Sequence, residues 1–353
     1  MKAAILTNQL FSWENPNELA IGGGEKVTLQ LSELLQEIEY DVSVYQYSPI
    51  SFSNDLFGAH IHGISNFPGD GLFWTNFCDY FYNETKDFDL VIINLPDFTS
   101  GKVREDSILI THGIFWCGKA LEKLSEYEKT KLRKAFSNVG KNIVVHEFTR
   151  DAIRSLGLNA VADKVVCIEN YVDTDVFKPD EKLPIVIFPG RAENAKGTGI
   201  VREVLDLLPS NGYRVEWIGY GSQYKNLKLL EEHYDNFYAY SVPMEDMHKV
   251  YARASICVVM NTSSRGNSLT LMEGMASKCA CVGIDGGTTL ITNMEDGLLC
   301  DATPESIANS IMLLMSNDEL RSFLGKNARE KIIKDHSRIE WKEKWINLIN
   351  GRR

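Results

Sequence analysis

The sequence lacks any run long and apolar enough to cross a bilayer, which takes about 20 apolar residues. Met1–Thr7 holds only five apolar residues before Asn8, too few for the core of a signal peptide. Cysteine is sparse: seven residues, Cys78, Cys117, Cys167, Cys257, Cys279, Cys281 and Cys300, never spaced as C-x-x-C. That pattern excludes a disulfide framework and predicts free thiols in a reducing compartment, the cytoplasm. Cys279 and Cys281 have neither His nor a third Cys nearby, so packing is expected of them rather than zinc. Positive charge is also short, 37 Lys and Arg against 48 Asp and Glu for a net of -11. Such a field repels polyanions and argues against a nucleic-acid partner, while leaving room for a local basic pocket. H-E-x-x-H and G-x-S-x-G are missing too, which removes the support for metalloprotease or serine-hydrolase chemistry.

What is present fits two α/β domains. A chain of 353 residues, 44% hydrophobic, exceeds one ordinary core and suffices for two. Short β-branched runs alternate with amphipathic segments, the pattern of parallel sheets wound with helices. Strands are predicted at Ala3–Leu6, Val42–Tyr45, Leu90–Ile93, Ile108–Thr111, Ile143–His146 and Val165–Ile168, then at Ile185–Phe188, Val215–Ile218, Ile256–Met260 and Cys281–Ile284. Asp173–Lys182, with Pro179, reads as the linker between residues 1–172 and 183–334. The remainder reads as helical: Ile307–Met315, Leu320–Ile333 and Trp341–Ile349. The last of these, within residues 335–353, has an apolar face expected to return to the first domain.

Several signals are weak. Gly113–Ala120 nearly spells a P-loop but has Ala120 where a magnesium-binding hydroxyl belongs, and Gly219-Tyr220-Gly221 lacks the third glycine of a dinucleotide fingerprint. Lys119, Lys123, Lys129, Lys131, Arg133 and Lys134 crowd one predicted helix. Interleaved Glu122, Glu126 and Glu128 make it a solvated face, with peripheral contact to an anionic membrane as the alternative.

Three loops carry more. Gly22-Gly23-Gly24-Glu25 lies between the first strand and the first helix, where glycine permits close ligand approach and a helix N-terminus favours negative charge. Gly190-Arg191 and Lys196-Gly197 place two cations on a strand-to-helix loop, able to converge on a diphosphate. Ser264 to Ala276 leads from a strand into a helix whose first amides are free for phosphate oxygens. Glu273, one turn further in, suits a pair of ribose hydroxyls.

In these motifs the chain resembles the retaining GT-B glycosyltransferases of glycosyltransferase family 4. The likeness runs through Gly22–Val27, Ile168–Pro179, Gly190–Gly197, Val242, Tyr251-Ala252, Leu271–Ala276 and Asp296–Leu299. It implies two doubly wound Rossmann-like domains facing across a cleft, acceptor on the N-terminal side and nucleotide-sugar donor on the C-terminal side. The resemblance assigns His112, Arg191 and Lys196 to catalysis. It assigns Gly23, Gly24, Gly190, Val242, Arg265, Gly266, Asn267, Ser268, Leu269 and Glu273 to donor binding. Arg191 and Lys196 would hold the diphosphate of a UDP- or GDP-sugar, Glu273 the ribose, the backbone near Val242 the base, and His112 the transferred sugar. No metal or other cofactor is implied. The acceptor would be a glycan, lipid or small molecule, with its pocket in variable loops such as Phe52–Trp74. Arg265 departs from the family, which usually has Glu there. A nucleotide-sugar 2-epimerase and an inactive sugar-nucleotide-binding protein are the alternatives.

Overall fold

The sequence folds into two units, Met1–Glu169 and Asn170–Arg353, in a computed structural model that describes residues 1–13, 17–20, 22–65, 73–113, 115–116, 119–209, 212–261 and 268–351.

Wholly apolar runs make the central strands of the first unit. Its strands are β1 (Lys2–Leu6), β2 (Asp41–Tyr47), β3 (Phe52–Leu56), β4 (Ala59–Ile64), β5 (Leu90–Ile93) and β6 (Ile108–Thr111), the two-residue pair β7 (Phe115–Trp116) and β8 (Lys119–Ala120), then β9 (Lys141–Val144) and β10 (Val166–Cys167). Eight of them form one sheet in the order β10-β9-β6-β5-β1-β2-β4-β3. The β3–β4 pair is antiparallel; β1 pairs in parallel with both β2 and β5. The strand sequence runs outward in one direction from β1 and in the other from β5. The gap between their carboxyl ends is therefore the switch point, where open α/β sheets bind ligands.

Helix α1 (Gly23–Glu37) covers this sheet by burying Val27, Leu31, Leu34 and Leu35, a spacing that fits 3.6 residues per turn. Helices α2 (Phe73–Glu84), α3 (Glu126–Ser137), α4 (Glu147–Ser155) and α5 (Asn159–Ala162) follow.

The second unit repeats the plan. Strands β11 (Leu183–Pro189), β12 (Arg214–Ile218), β13 (Phe237–Tyr240), β14 (Ala254–Val259), β15 (Ala280–Ile284) and β16 (Leu298–Cys300) lie in the order β13-β12-β11-β14-β15-β16. All five pairings are parallel, and the switch point lies between β11 and β14. Phe188 stacks on Trp217 at 6.2 Å within the core. Helices α6 (Val201–Leu207), α7 (Tyr224–Leu230), α8 (Met247–Arg253) and α9 (Leu269–Ala276) connect the strands. Then come α10 (Pro304–Ser316), α11 (Asp318–Asp335) and α12 (Arg338–Asn350). The side chains of Thr303, Asn317 and Ser337 each accept a backbone N–H at the start of these last three, the ordinary way to satisfy an open helix end.

Several expectations change. The six apolar strands predicted for the first domain are present, but the hairpin β3–β4 was read as an acceptor loop within Phe52–Trp74. In β3 no residue is buried, and in β4 Ala59 and Ile61 alternate with His60 and His62, so the apolar signal is too short to stand out. Phe57 and Gly58, at φ of 47° and 79°, make the turn, and α2 begins at Phe73. Residues 66–72 of that stretch are outside the described residues. The strand predicted at Ile143–His146 ends at Val144 because His146 caps α4, its Nδ1 accepting from the Phe148 N–H at 3.1 Å.

The basic stretch is not one helix. Lys119 lies on β8, Lys123 ends a short 3-10 turn, and α3 begins only at Glu126. Lys129 and Arg133 both pair with Glu126. The chain divides at Glu169/Asn170, ahead of the stretch read as a linker. That stretch is fastened to the second unit: Arg329 donates to the carbonyls of Phe177, Thr174 and Ala276. In α12 Trp341 lies 4.7 Å from the ring of Tyr171.

The Asp296–Leu299 motif has a structural explanation. Lys331 of α11 donates to the Asp296 carboxylate at 2.8 Å, to the Leu290 carbonyl at 2.6 Å and to the Thr292 hydroxyl at 3.2 Å. Asp296 is buried, so a variant lacking the ammonium would leave its carboxylate without a counter-charge, held only by the Thr292 N–H at 2.8 Å. We predict that Lys331→Ala lowers unfolding stability by about 2–4 kcal/mol, measured by urea denaturation. A loss under about 0.5 kcal/mol would mean the pair is a surface contact only.

Candidate functional site

In the first unit a continuous hydrogen-bond network occupies the β1/β5 switch point. Asn94 follows β5 and is buried. Its amide nitrogen donates to Thr28 Oγ1 at 2.7 Å and to the Gly24 carbonyl at 3.3 Å. Thr28 in turn donates to Gly24 O at 3.0 Å. On its other side Asn94 Oδ1 meets His112 Nε2 at 2.6 Å. His112 therefore hangs from the residue that also braces the start of α1. Burial pushes the His112 imidazole down to about 4, so it is neutral at pH 7. The residue as a whole is partly covered. A Cβ built on Gly24 would meet nothing within 4 Å, so the space over this turn is open.

In the second unit four successive loops gather at the carboxyl edge of the parallel sheet. The loop after β11 turns at Gly190, φ 141°, and presents Arg191 exposed and Lys196 half-buried. Burial first, and then the neighbouring Arg191 charge, lower the Lys196 ammonium below its ordinary range. Two cations thus share a small volume, and neither has an ion-pair partner among the described residues. Glu193, between them in sequence, is engaged elsewhere. Its carboxylate accepts from the Ser222 hydroxyl at 2.6 Å and the Ser222 N–H at 3.0 Å, bonds that hold it below the usual carboxylate range.

The loop after β12 supports that arrangement. Gly219, φ 145°, lies against the Gly190 carbonyl, and Gly221 against Ala192. Ala192 N–H donates to the Tyr220 carbonyl, and Gln223 N–H to the Ala192 carbonyl. After β13 comes half-buried Val242. At the start of α9, Ser268 takes the cap position without a side-chain cap bond. The first amides of this helix, from Leu269 on, head the loop that follows β14. One turn in, Glu273 is buried beneath the surface, and together with burial its charge drives the Tyr251 hydroxyl well above its ordinary range. Arg265, Gly266 and Asn267 lie outside the described residues.

Residues 21–176 match Glycosyltransferase Family 4 and residues 173–331 match Glycosyl transferases group 1. The chain is a GT-B glycosyltransferase of the family 4 type. It is 27% identical over 316 residues to an uncharacterized glycosyltransferase of Methanocaldococcus jannaschii, covering 79% of each chain. In fold this glycosyltransferase is similar to sucrose-phosphate synthase from Thermosynechococcus elongatus (TM-score 0.81, 16% identity, 99% of both chains). It is likewise similar to Anabaena HepE solved with UDP-glucose (TM-score 0.79, 14% identity, 99% of this chain and 100% of that one). At such identities the likeness concerns fold alone.

The described residues singled out in this glycosyltransferase follow the carboxyl ends of strands, most of them near a switch point, with Val242 after the edge strand β13. Gly24 and His112 are joined in the first unit through Asn94, and Gly23 begins α1 beside them. Gly190, Arg191 and Lys196 follow β11 in the second, while Ser268, Leu269 and Glu273 follow β14. Sequence reasoning missed Asn94, Thr28, Glu193 and Ser222. One signal for Asn94 was available: a polar residue directly after the wholly apolar β5, at a strand end where ligands bind. Gly219 and Gly221, which in sequence resemble part of a dinucleotide motif, let two loops touch, against Gly190 and Ala192.

Proposed function

We propose that this glycosyltransferase moves a hexose from a UDP- or GDP-sugar to an acceptor hydroxyl with retention of anomeric configuration and without a metal. The observation that carries the reading is the Arg191–Lys196 pair, two crowded cations beside Glu193, whose carboxylate is hydrogen-bonded to Ser222. Such a pair gains most from an anion, and a departing nucleoside diphosphate gains negative charge as the glycosidic bond breaks. Both cations then bind the transition state better than the ground state. The free amides at Ser268–Leu269 add to the same stabilisation. Glu273 is assigned to the ribose, Val242 to the base and His112 to the sugar, which passes through an oxocarbenium-like state. Arg265, Gly266 and Asn267 complete the donor loop in this reading. HepE, of the same fold, holds UDP-glucose, which favours a uridine donor.

The test is a thermal-shift screen of UDP-, GDP- and ADP-hexoses followed by product analysis. A bound donor at 100 times its Kd raises stability by about 2.7 kcal/mol. The expected result is stabilisation by one nucleotide class, the same in EDTA as in magnesium, and an acceptor-dependent product of unchanged anomeric configuration. Stabilisation lost in EDTA would overturn the metal-free reading. A product formed without any acceptor would make the chain an epimerase, and donor binding with no turnover across a broad acceptor panel an inactive binder.

A further inference from the structure

The network at the first switch point determines where the proton on His112 lies. Gly24 O can only accept, and Thr28 Oγ1 spends its own proton on that same carbonyl. The side of Asn94 facing both must therefore be the NH2 group, which leaves Oδ1 toward His112. An amide oxygen cannot donate, so the 2.6 Å contact requires His112 Nε2 to carry the hydrogen. A neutral ring has one proton, and Nδ1 is then a bare acceptor. Thr7, whose hydroxyl lies 3.1 Å from Thr28 Oγ1, closes the network behind. Every member lies on α1 or directly after β1, β5 or β6, so the fold itself sets the geometry.

We propose that Asn94 is a positioning residue that acts through His112, locking the imidazole as the Nε2–H tautomer so that Nδ1 accepts a hydrogen bond from a hydroxyl of the transferred sugar. The inference rests on the assignment of His112 to that sugar. Its consequence is a preference by charge and proton: a lone pair welcomes a neutral hydroxyl and rejects a carboxylate at the same place. A hexose donor is then favoured over the corresponding uronate. Burial is the cause of the low His112 proton affinity, so the ring stays neutral through the working pH range and the preference does not titrate away.

The tautomer is read directly by long-range 1H–15N correlation on the full chain with labelled histidine, assigned by comparison with His112→Gln. The wild type should show His112 as neutral Nε2–H at pH 7 and down to about 4. Asn94→Ala should give mixed tautomers. Asn94→Asp keeps the size and an oxygen toward the ring but adds a charge, so it should raise the midpoint of the His112 titration by about one unit or more. It also serves if Asn94→Ala fails to fold. A wild-type ring protonated on Nδ1, or a titration unmoved by Asn94→Asp, would overturn the proposal. Kinetics separate it from its premise. Asn94→Ala should lower kcat with UDP-glucose roughly tenfold, the worth of one neutral hydrogen bond, with nucleotide affinity unchanged and the margin over UDP-glucuronate reduced. If the tautomer responds as stated but both rates stand still, the lock is real and the placement of His112 at the sugar is wrong.

Discussion

Arg191→Ala and Lys196→Ala should each reduce turnover by tenfold or more while leaving the fold nearly as stable as before. Each removes a charge-assisted bond to the leaving diphosphate, worth about 1.5–3 kcal/mol, and that bond strengthens as the glycosidic bond breaks. The folded protein loses little, because neither cation has an ion-pair partner among the described residues and Arg191 is exposed. Lys196→Ala also removes a half-buried charge that Arg191 repels, so its thermal midpoint should stay level or rise. Arg191→Lys should recover only part of the rate, since an ammonium cannot reproduce a two-pronged contact. Steady-state kinetics with saturating acceptor and isothermal titration with the free nucleoside diphosphate measure both sides of the claim. Near-wild-type kinetics in both alanine variants would place the diphosphate elsewhere.

Gly219→Ala should do the reverse, harming fold and donor binding together although residue 219 carries no chemistry. Its φ of 145° lies where side chains are strained, and a Cβ there would stand 2.1 Å from the Gly190 carbonyl, a backbone atom that cannot swing aside. Strain of about 1–3 kcal/mol adds to the displacement of the Gly190–Ala192 turn, so a total loss of about 3 kcal/mol or more is expected in urea. The cations on that turn lose their register, and nucleotide affinity should fall with the stability. Gly157→Ala is the control: φ is 80° there, but nothing lies within 4 Å of its Cβ, and the backbone term alone is paid. Equal losses in the two variants would show that the contact between the two loops carries no weight.

How far the sequence could be read depended on what each stretch buries. Strands such as Leu90–Ile93 and Ile185–Phe188 are hidden on both faces and speak plainly as apolar runs. Phe52–Ile64 is an edge hairpin whose buried apolar residues, Ala59 and Ile61, are too few to stand out among Asn54, Asp55 and two histidines. Strands β13 (Phe237–Tyr240) and β16 (Leu298–Cys300) were missed; both are edge strands of their sheet. Gly190, Arg191, Lys196 and Glu273 could be located because glycine and charge beside apolar strands are conspicuous. Asn94 could not, since its importance lies in partners drawn from Gly24, Thr28 and His112, 18 to 70 residues away. Glu193 escaped notice for the same reason, since its hydroxyl partner Ser222 lies 29 residues on.

Beneath Gly274 the second unit stores a chemical clock. A Cβ on that glycine would meet the sulfurs of Cys257 and Cys281 at 2.8 and 3.3 Å, and Cys279 is buried alongside, its thiol pushed up to about 12 by burial. Alkylating reagents consume thiolate, and for Cys257 and Cys279 burial withholds both access and ionisation until the unit opens. Cys78, pushed up to about 12 inside the first unit, keeps separate time. The rates at which these thiols vanish therefore report the opening of each half of the protein on its own scale, with no label added and no residue replaced.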